Sequence, residues 1–426
     1  MKVLISGTAA APGWPAPDCG CASCGRLTPG HRRPTEVTLT GDSVRLPLTG
    51  PLPPGHQVSS RPTGDSVRLP LTGPLPPGHQ VSSRPTGVTL ADDSVRLPLT
   101  GPLPPGHQVS TSPDGLTLTT PGGERVLYAA PAASHDAPPP APAPPPDSRD
   151  APPPADRYGE RGAERVPARA EDGPAVCDLV LIDVLDRPER LGDLRRRGVV
   201  GARTHVVAVD IDHRVPTEAE LARRAALWGV RAVPDGTVLD TGEPVPGRPP
   251  RPRRTLLLGG ARSGKSAEAE LRLAGEPEVL YVATGPSGGG DAEWARRVQA
   301  HRDRRPAHWG TAETTDLAGL LRTAEVPMLI DGLGTWVAAV FDECDAWSGG
   351  DGRDAVTARC DELVAAWRQA RAQVVAVSDE VGLGVVPATS SGRMFRDVLG
   401  RLNQRLALES EDVALVAAGR LLPLPV

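Results

Sequence analysis

A chain of 426 residues is long enough for two or three separate cores, because a single hydrophobic core stops growing at roughly 250 to 300 residues. Its formal net charge of −5 excludes a general attraction to nucleic acid or to an anionic membrane surface, either of which needs a basic face that displaces counterions. The apolar opening Met1 to Ile5 is broken by Ser6, Gly7 and Thr8, and no stretch approaches the ~18 apolar residues of a membrane span, so a soluble, cytoplasmic protein is expected.

In chain order, the first chemical feature is Cys19-x-Cys21-x-x-Cys24. Six cysteines in so long a chain do not make a disulfide framework, and this spacing is too tight for ordinary staples, so the cluster reads as metal-binding. Cys177, Cys344 and Cys360 are scattered, and Cys360 shares a helical face with Val356, Leu363, Val364 and Trp367, as a plain buried thiol does.

The segment Asp42 to Ser60 returns unchanged at Asp65 to Ser83 and almost complete at Asp93 to Ser110. Each unit holds only a strand-like VRLPL and a turn-rich TGPLPPG, too little apolar surface to stack as a solenoid. The expectation is a tandem duplication within one hairpin, with no chemistry in His56, His79 or His107.

Of the 49 prolines only seven lie from Arg254 onward, which fixes the expected organisation. Residues 1–132 are a β-rich part carrying the repeats, and 133–174 a solvated polyproline-like linker. Residues 175–241 are the α/β remainder of the N-terminal domain, with strands at Cys177 to Ile182 and Thr204 to Val209 and a helix at Thr217 to Trp228. A second linker, 242–253, precedes the compact domain 254–426. There, strands are predicted at Thr255 to Leu258, Val279 to Val282, Met328 to Ile330, Val374 to Val377 and Val413 to Val416. Helices are predicted at Lys265 to Leu273, Asp291 to Arg304, Asp316 to Arg322, Asp354 to Arg371 and Arg393 to Leu408, giving an α/β fold with a parallel sheet flanked by helices.

Gly259-Gly260-Ala261-Arg262-Ser263-Gly264-Lys265-Ser266 fits G-x-x-x-x-G-K-[ST] between a predicted strand and a predicted helix, the context a P-loop needs. The glycines let backbone N–H groups converge on phosphate oxygens, the helix start adds partial positive charge, Lys265 reaches the outer phosphates and Ser266 suits Mg²⁺. Asp331, closing the strand Met328 to Ile330, is the matching magnesium carboxylate, or else a cap on the next turn. Glu380, beyond the strand Val374 to Val377, lies where ligands bind in open parallel sheets; it suits magnesium positioning or acceptance of a hydroxyl proton, with a structural ion pair as the alternative.

GGARSGKS with its internal arginine resembles the bifunctional adenosylcobinamide kinase and adenosylcobinamide-phosphate guanylyltransferase family. VQAHRDRRPAHW at Val298 to Trp309, LIDGLGTW at Leu329 to Trp336, and SDEVGLGVVP with GRMFRDVLGRLNQRLA at Ser378 to Ala407 match it in order and spacing. The resemblance spans Arg254 to Leu424. It implies phosphorylation of adenosylcobinamide with ATP or GTP, then transfer of GMP from GTP through a guanylylated histidine to give adenosylcobinamide-GDP. It places that histidine at His301, on the inward side of a helix with Trp294 and Val298, while Arg296, Arg297 and Arg304 serve triphosphate or solvent; without the resemblance a core histidine is the plainer reading. His308 is expected to be structural or pocket-lining. Family members assemble as trimers, so a homo-oligomer is implied.

KVLISGTAAAPGWPAPDCGCASCGR is similar to the start of metallo-β-lactamase-fold phosphodiesterases, some of which hold a structural zinc on these cysteines and a late histidine. His213 matches that place, completing Cys19, Cys21, Cys24 and His213, a donor set suited to tetrahedral Zn²⁺. The hydrolases' H-x-H-x-D-H is absent, so this half reads as a degenerate companion domain. Two readings compete with the corrinoid enzyme: a general P-loop ATPase coupled to a partner, and a zinc-stabilised scaffold.

Overall fold

The computed structural model describes residues 1–40, 44–47, 106–129, 175–285, 299, 305–348 and 352–425. The first two repeat histidines, His56 and His79, and the predicted helix Asp291 to Arg304 apart from residue 299, with His301, lie outside the described residues, as do the linker 133–174 and most of the repeats.

The N-terminal half is a pair of sheets. The strands are β1 (Lys2–Gly7), β2 (Glu36–Thr40), β3 (Val44–Pro47), β4 (Gln108–Ser112), β5 (Gly115–Thr119), β6 (Arg125–Ala129), β7 (Leu179–Ile182), β8 (His205–Ala208) and β9 (Thr237–Asp240). One sheet runs β3-β2-β1-β9 and the other β4-β5-β6-β7-β8. Val3, Ile5 and Val37 of the first meet Leu118, Val126, Leu179 and Val207 of the second, which is the core between them. The opposite face of the second sheet carries Leu127, Val180, Ile182 and Val206, covered by helices α1 (Glu189–Arg196) and α2 (Glu218–Trp228).

One expectation is corrected here. The described ends of the duplicated insertion belong to different sheets, since β3 pairs with β2 and β4 with β5, and so are not the two arms of one hairpin. In the linker 242–253, Arg248 donates to the Trp228 carbonyl at 3.2 Å and Arg251 ion-pairs with Glu276.

In the second half, strands β10 (Arg254–Gly259), β11 (Leu280–Ala283), β12 (Gly310–Glu313), β13 (Met328–Asp331), β14 (Val374–Asp379), β15 (Asp412–Ala417) and β16 (Arg420–Pro423) form one sheet. Its order is β12-β11-β13-β14-β10-β15-β16. All pairs are parallel except the edge hairpin β15–β16, a departure from the all-parallel expectation. The strands read as near-continuous apolar runs because both faces are covered. Leu256, Ile330 and Ala376 face α4 (Leu317–Thr323), α5 (Leu333–Glu343), α6 (Gly352–Gln369) and α7 (Ser390–Leu408). The alternate residues Leu257, Leu329 and Val375 face α3 (Lys265–Leu273). The outer side of α3 is covered in turn by the N-terminal half, where Leu271 packs against the cluster containing Trp228. Among the described residues no helix is long and apolar enough to cross a membrane.

Candidate active site and metal centre

The P-loop sequence does locally what its residues require. β10 ends at Gly259, Gly264 takes a left-handed φ of 98°, and α3 begins at Lys265. Only a residue without Cβ adopts that conformation at no cost, and it turns the chain sharply enough to aim the helix start at the loop's hollow. The loop is tied to the far edge of the sheet by Gly419, whose N–H donates to the Ser263 carbonyl at 2.8 Å.

Lys265 is buried, its ammonium 2.9 Å from Asp379 Oδ1 and 3.0 Å from the Gly260 carbonyl oxygen, to which it donates. Thus the lysine expected to hold phosphates lies across the cradle, held by a carboxylate and a carbonyl. Ser266 Oγ donates to Asp331 Oδ1 at 3.0 Å, and Tyr281 donates its hydroxyl to Asp331 Oδ2 at 2.7 Å. Burial, reinforced by the Asp331 charge, pushes the Tyr281 phenol well above its ordinary pKa, so it stays a donor. Asp331 and Asp379 sit at the carboxyl ends of adjacent parallel strands, the side on which open α/β sheets bind ligands. A hydroxyl and a carboxylate oxygen 3.0 Å apart beside a P-loop are a donor set that suits Mg²⁺, a hard cation preferring oxygen.

Lys265, Ser266 and Asp331 are therefore brought together, and Asp379 joins them without having been singled out in the sequence. Glu380 is placed otherwise: its Oε1 accepts the Gly382 N–H at 2.7 Å and closes its own loop. The signal for Asp379 was available in strand parity. It is paired with Gly259 in the parallel ladder β10–β14, directly beside the start of the cradle. Its position is fixed from behind by Asn403, which donates to the Asp379 carbonyl at 3.0 Å and accepts from Ser378 Oγ at 2.6 Å.

In the other half, the ligand atoms of Cys19, Cys21, Cys24 and His213 all lie within 4.8 Å of one another. His213 Nδ1 is 3.8 Å from Cys19 Sγ and 4.0 Å from Cys24 Sγ. Tetrahedral ligands bound at ~2.3 Å stand about 3.8 Å apart, so the spacing fits zinc. The loop is held by Ser23, which donates to the Val215 carbonyl at 2.7 Å and accepts from Trp14 Nε1. The Cys21 thiol is lowered by the Cys24 backbone N–H, whereas burial pushes Cys24 up to about 11, a cost that a bound cation would reverse.

A strand, a glycine-rich turn with lysine and serine at the helix start, and a strand-end aspartate facing that serine define a P-loop nucleotide-binding enzyme. Residues 255–424 match the family described as cobinamide kinase / cobinamide phosphate guanyltransferase. The chain is 40% identical over 174 residues to the bifunctional adenosylcobalamin biosynthesis protein CobU of Salmonella typhimurium, covering 95% of that protein and 38% of this chain. It is 38% identical over 174 residues to the protein of the same name from Escherichia coli, again covering 95% of the relative and 38% of this chain. To the bifunctional adenosylcobalamin biosynthesis protein CobP of Pseudomonas aeruginosa it is 42% identical over 179 residues, 96% of the relative and 40% of this chain. The chain belongs to the cobinamide kinase / cobinamide phosphate guanyltransferase family.

Proposed function

We propose that the second half runs both reactions on one nucleotide fold. Adenosylcobinamide is phosphorylated by ATP or GTP, and GMP passes from GTP through His301 to adenosylcobinamide phosphate, giving adenosylcobinamide-GDP for cobalamin biosynthesis. The observation that carries this reading is sequence identity of 40% across 95% of a bifunctional relative, with the cradle residues Lys265, Ser266 and Asp331 gathered in one place.

In the kinase step, Lys265 leaves the Gly260 carbonyl and Asp379 for the outer phosphates, and the backbone N–H groups of residues 260–266 receive the remaining phosphate oxygens. Ser266 and Asp331 would hold Mg²⁺, which supplies charge neutralisation on the phosphates. Asp379, uncovered as Lys265 leaves, or Glu380, released from its loop, takes the proton of the attacking hydroxyl. In the transfer step, a neutral imidazole nitrogen of His301 attacks the α-phosphorus of GTP. The bond to pyrophosphate breaks and a phosphoramidate forms with loss of the ring proton. The cobinamide phosphate oxygen then attacks that phosphorus, the P–N bond breaks, and the imidazole is regenerated.

For the first half we propose a structural zinc on Cys19, Cys21, Cys24 and His213 in a degenerate companion domain that does no hydrolysis, its two-sheet frame and ligand spacing supporting the metallo-β-lactamase-like reading. A cytoplasmic homo-oligomer, trimeric as in the family, completes the proposal.

The test is incubation with Mg²⁺ and GTP radiolabelled at the α-phosphate, followed by denaturation. An acid-labile, base-stable label on the wild type and none on a His301→Ala variant is expected. Nucleotide hydrolysis without any covalent label would favour an ATPase coupled to a partner.

A further inference from the structure

The P-loop carries two cations and commits only one of them. Lys265 is buried, with its ammonium 2.9 Å from Asp379 Oδ1. Arg262, three residues earlier, is exposed and makes no hydrogen bond or ion pair among the described residues. The kinase and transfer steps described above use its backbone N–H and leave its guanidinium without a task.

The backbone holds an arginine here against local preference. Arg262 has a left-handed φ of 57°, where a Cβ crowds the carbonyl that follows and where glycine sits freely. Glycine is common in the same loop, at Gly259, Gly260 and Gly264, and Gly264 takes the next left-handed position at φ 98°. A left-handed position filled by a long charged side chain points to a use for that side chain. Its two flanks differ. On one, Ser263 is pinned: its carbonyl accepts the Gly419 N–H at 2.8 Å, and its buried hydroxyl lies 2.6 Å from where a Gly259 Cβ would stand. On the other, a Cβ added to Gly260 meets nothing within 4 Å. Arg262 thus stands where the pinned part of the loop gives way to the open part, at the sheet end where Asp331 and Asp379 close their strands.

We propose that Arg262 is a catalytic arginine supplied in cis, its guanidinium contacting the γ-phosphoryl group as that group passes from ATP to the acceptor hydroxyl. The assignment deepens the proposed kinase step and rests on it. The hydroxyl oxygen bonds to the γ-phosphorus while the bond from that phosphorus to the β–γ bridging oxygen breaks. ADP leaves with that electron pair, and the hydroxyl proton passes to Asp379 or Glu380. Negative charge spreads over the three equatorial oxygens of the moving group. Lys265 meets it from within the cradle, and a planar guanidinium fork takes two oxygens at once from the open side. Lys265 must leave Asp379 to do this, whereas Arg262 gives up no ion pair when it turns onto the nucleotide. A contact made with the transferring group stabilises the transition state more than bound ATP, so its loss falls on kcat.

The experiment is steady-state phosphorylation of adenosylcobinamide by ATP and Mg²⁺ with full-length wild type, Arg262→Gly and Arg262→Gln. Calorimetric titration of the non-hydrolysable β,γ-imido analogue of ATP into each runs beside it. In both variants kcat should fall about a thousandfold, the lower end of what an arginine contributes to a transferring phosphoryl group, while KM for ATP and affinity for the analogue change little. Because glycine relaxes the φ at 262, Arg262→Gly should unfold at the wild-type temperature, which separates the loss from misfolding. Added guanidinium ion at millimolar concentration should restore part of the rate to Arg262→Gly and none to the wild type. A kcat near the wild-type value in either variant, or analogue affinity that falls as far as kcat, overturns the proposal. Wild-type protein that fails to phosphorylate adenosylcobinamide would instead remove the kinase reading, and this assignment with it.

Discussion

Asp210 lies beyond β8 with a φ of 55° and is 5% exposed. Tyr128 donates its hydroxyl to Asp210 Oδ2 at 2.5 Å, the Thr35 hydroxyl accepts its N–H at 3.1 Å, and Arg214, paired with the neighbouring Asp183 at 2.9 Å, bonds only its backbone oxygen. Burial, with the Asp183 charge adding to it, raises the Asp210 carboxyl to about 7. A carboxyl raised in the folded state holds its proton there more tightly than in the unfolded chain, so its contribution is complete below the ordinary carboxylate pKa. That contribution fades as pH climbs to about 7. The stability of the first half should therefore fall by up to ~1.4 kcal/mol per pH unit across this window. Urea midpoints between pH 4 and 8 check this, and an Asp210→Asn protein should lose most of the slope; equal slopes would remove Asp210 as the cause. The same scale shows where reading the sequence stopped. Lys265, Ser266 and Asp331 were legible because motif and strand end constrain them, whereas the choice between Asp379 and Glu380 depends on which way a strand's last residue points, and that parity is set by a neighbouring strand.

Helix α2 shows an element whose sequence announces it. Thr217 Oγ1 accepts the Glu220 N–H at 3.1 Å at its start, Gly229 ends it at φ 62°, and Leu221, Ala225 and Trp228 form its buried stripe. Helix α1 was missed because it starts behind Pro188 without a side-chain cap and shows only Leu191 and Leu194 among charges. Helix α5 was missed for the opposite reason, being apolar nearly all round. Strand β12, Gly310–Glu313, has no apolar alternation and exists only as an edge partner of β11. The last residue of α2 joins the halves: Trp228 is 1% exposed and its Nε1 donates to the Leu271 carbonyl at 2.7 Å near the end of α3. Trp228→Ala should cost about 3 to 5 kcal/mol in denaturant unfolding, and Trp228→Phe less, since it keeps most of the ring while losing the five-membered part and its hydrogen bond. Because α3 begins with Lys265 and Ser266, nucleotide affinity measured on the Ala variant should also weaken.

At the scale of the molecule, the proline-rich stretches suggested two independent bodies, but the seam between them is extensive. Arg223 pairs with Glu268 at 2.8 Å, Arg195 donates to the Gly275 carbonyl, and one apolar cluster runs from Trp14 and Cys24 through Leu191 and Trp228 to Leu271. Composition could not reveal this, because a docking surface between halves uses the same residues as any core. The continuity makes the proposed zinc matter beyond its own loop. Purified protein should carry about one zinc per chain by elemental analysis, and chelation should lower the unfolding temperature of the whole chain as well as that of the first half. A Cys24→Ser protein with full zinc content would contradict the ligand set.

The pairing of β1 with β9 joins Lys2 to Asp240, so the earliest strand of this sheet is bordered on one side by its last. At roughly 5 to 20 residues per second of synthesis, β1 waits on the order of ten to fifty seconds on the ribosome before that edge can close. The amino-terminal half is thus completed only as the P-loop strand begins to emerge, and until then the nascent chain exposes an open strand edge to chaperones.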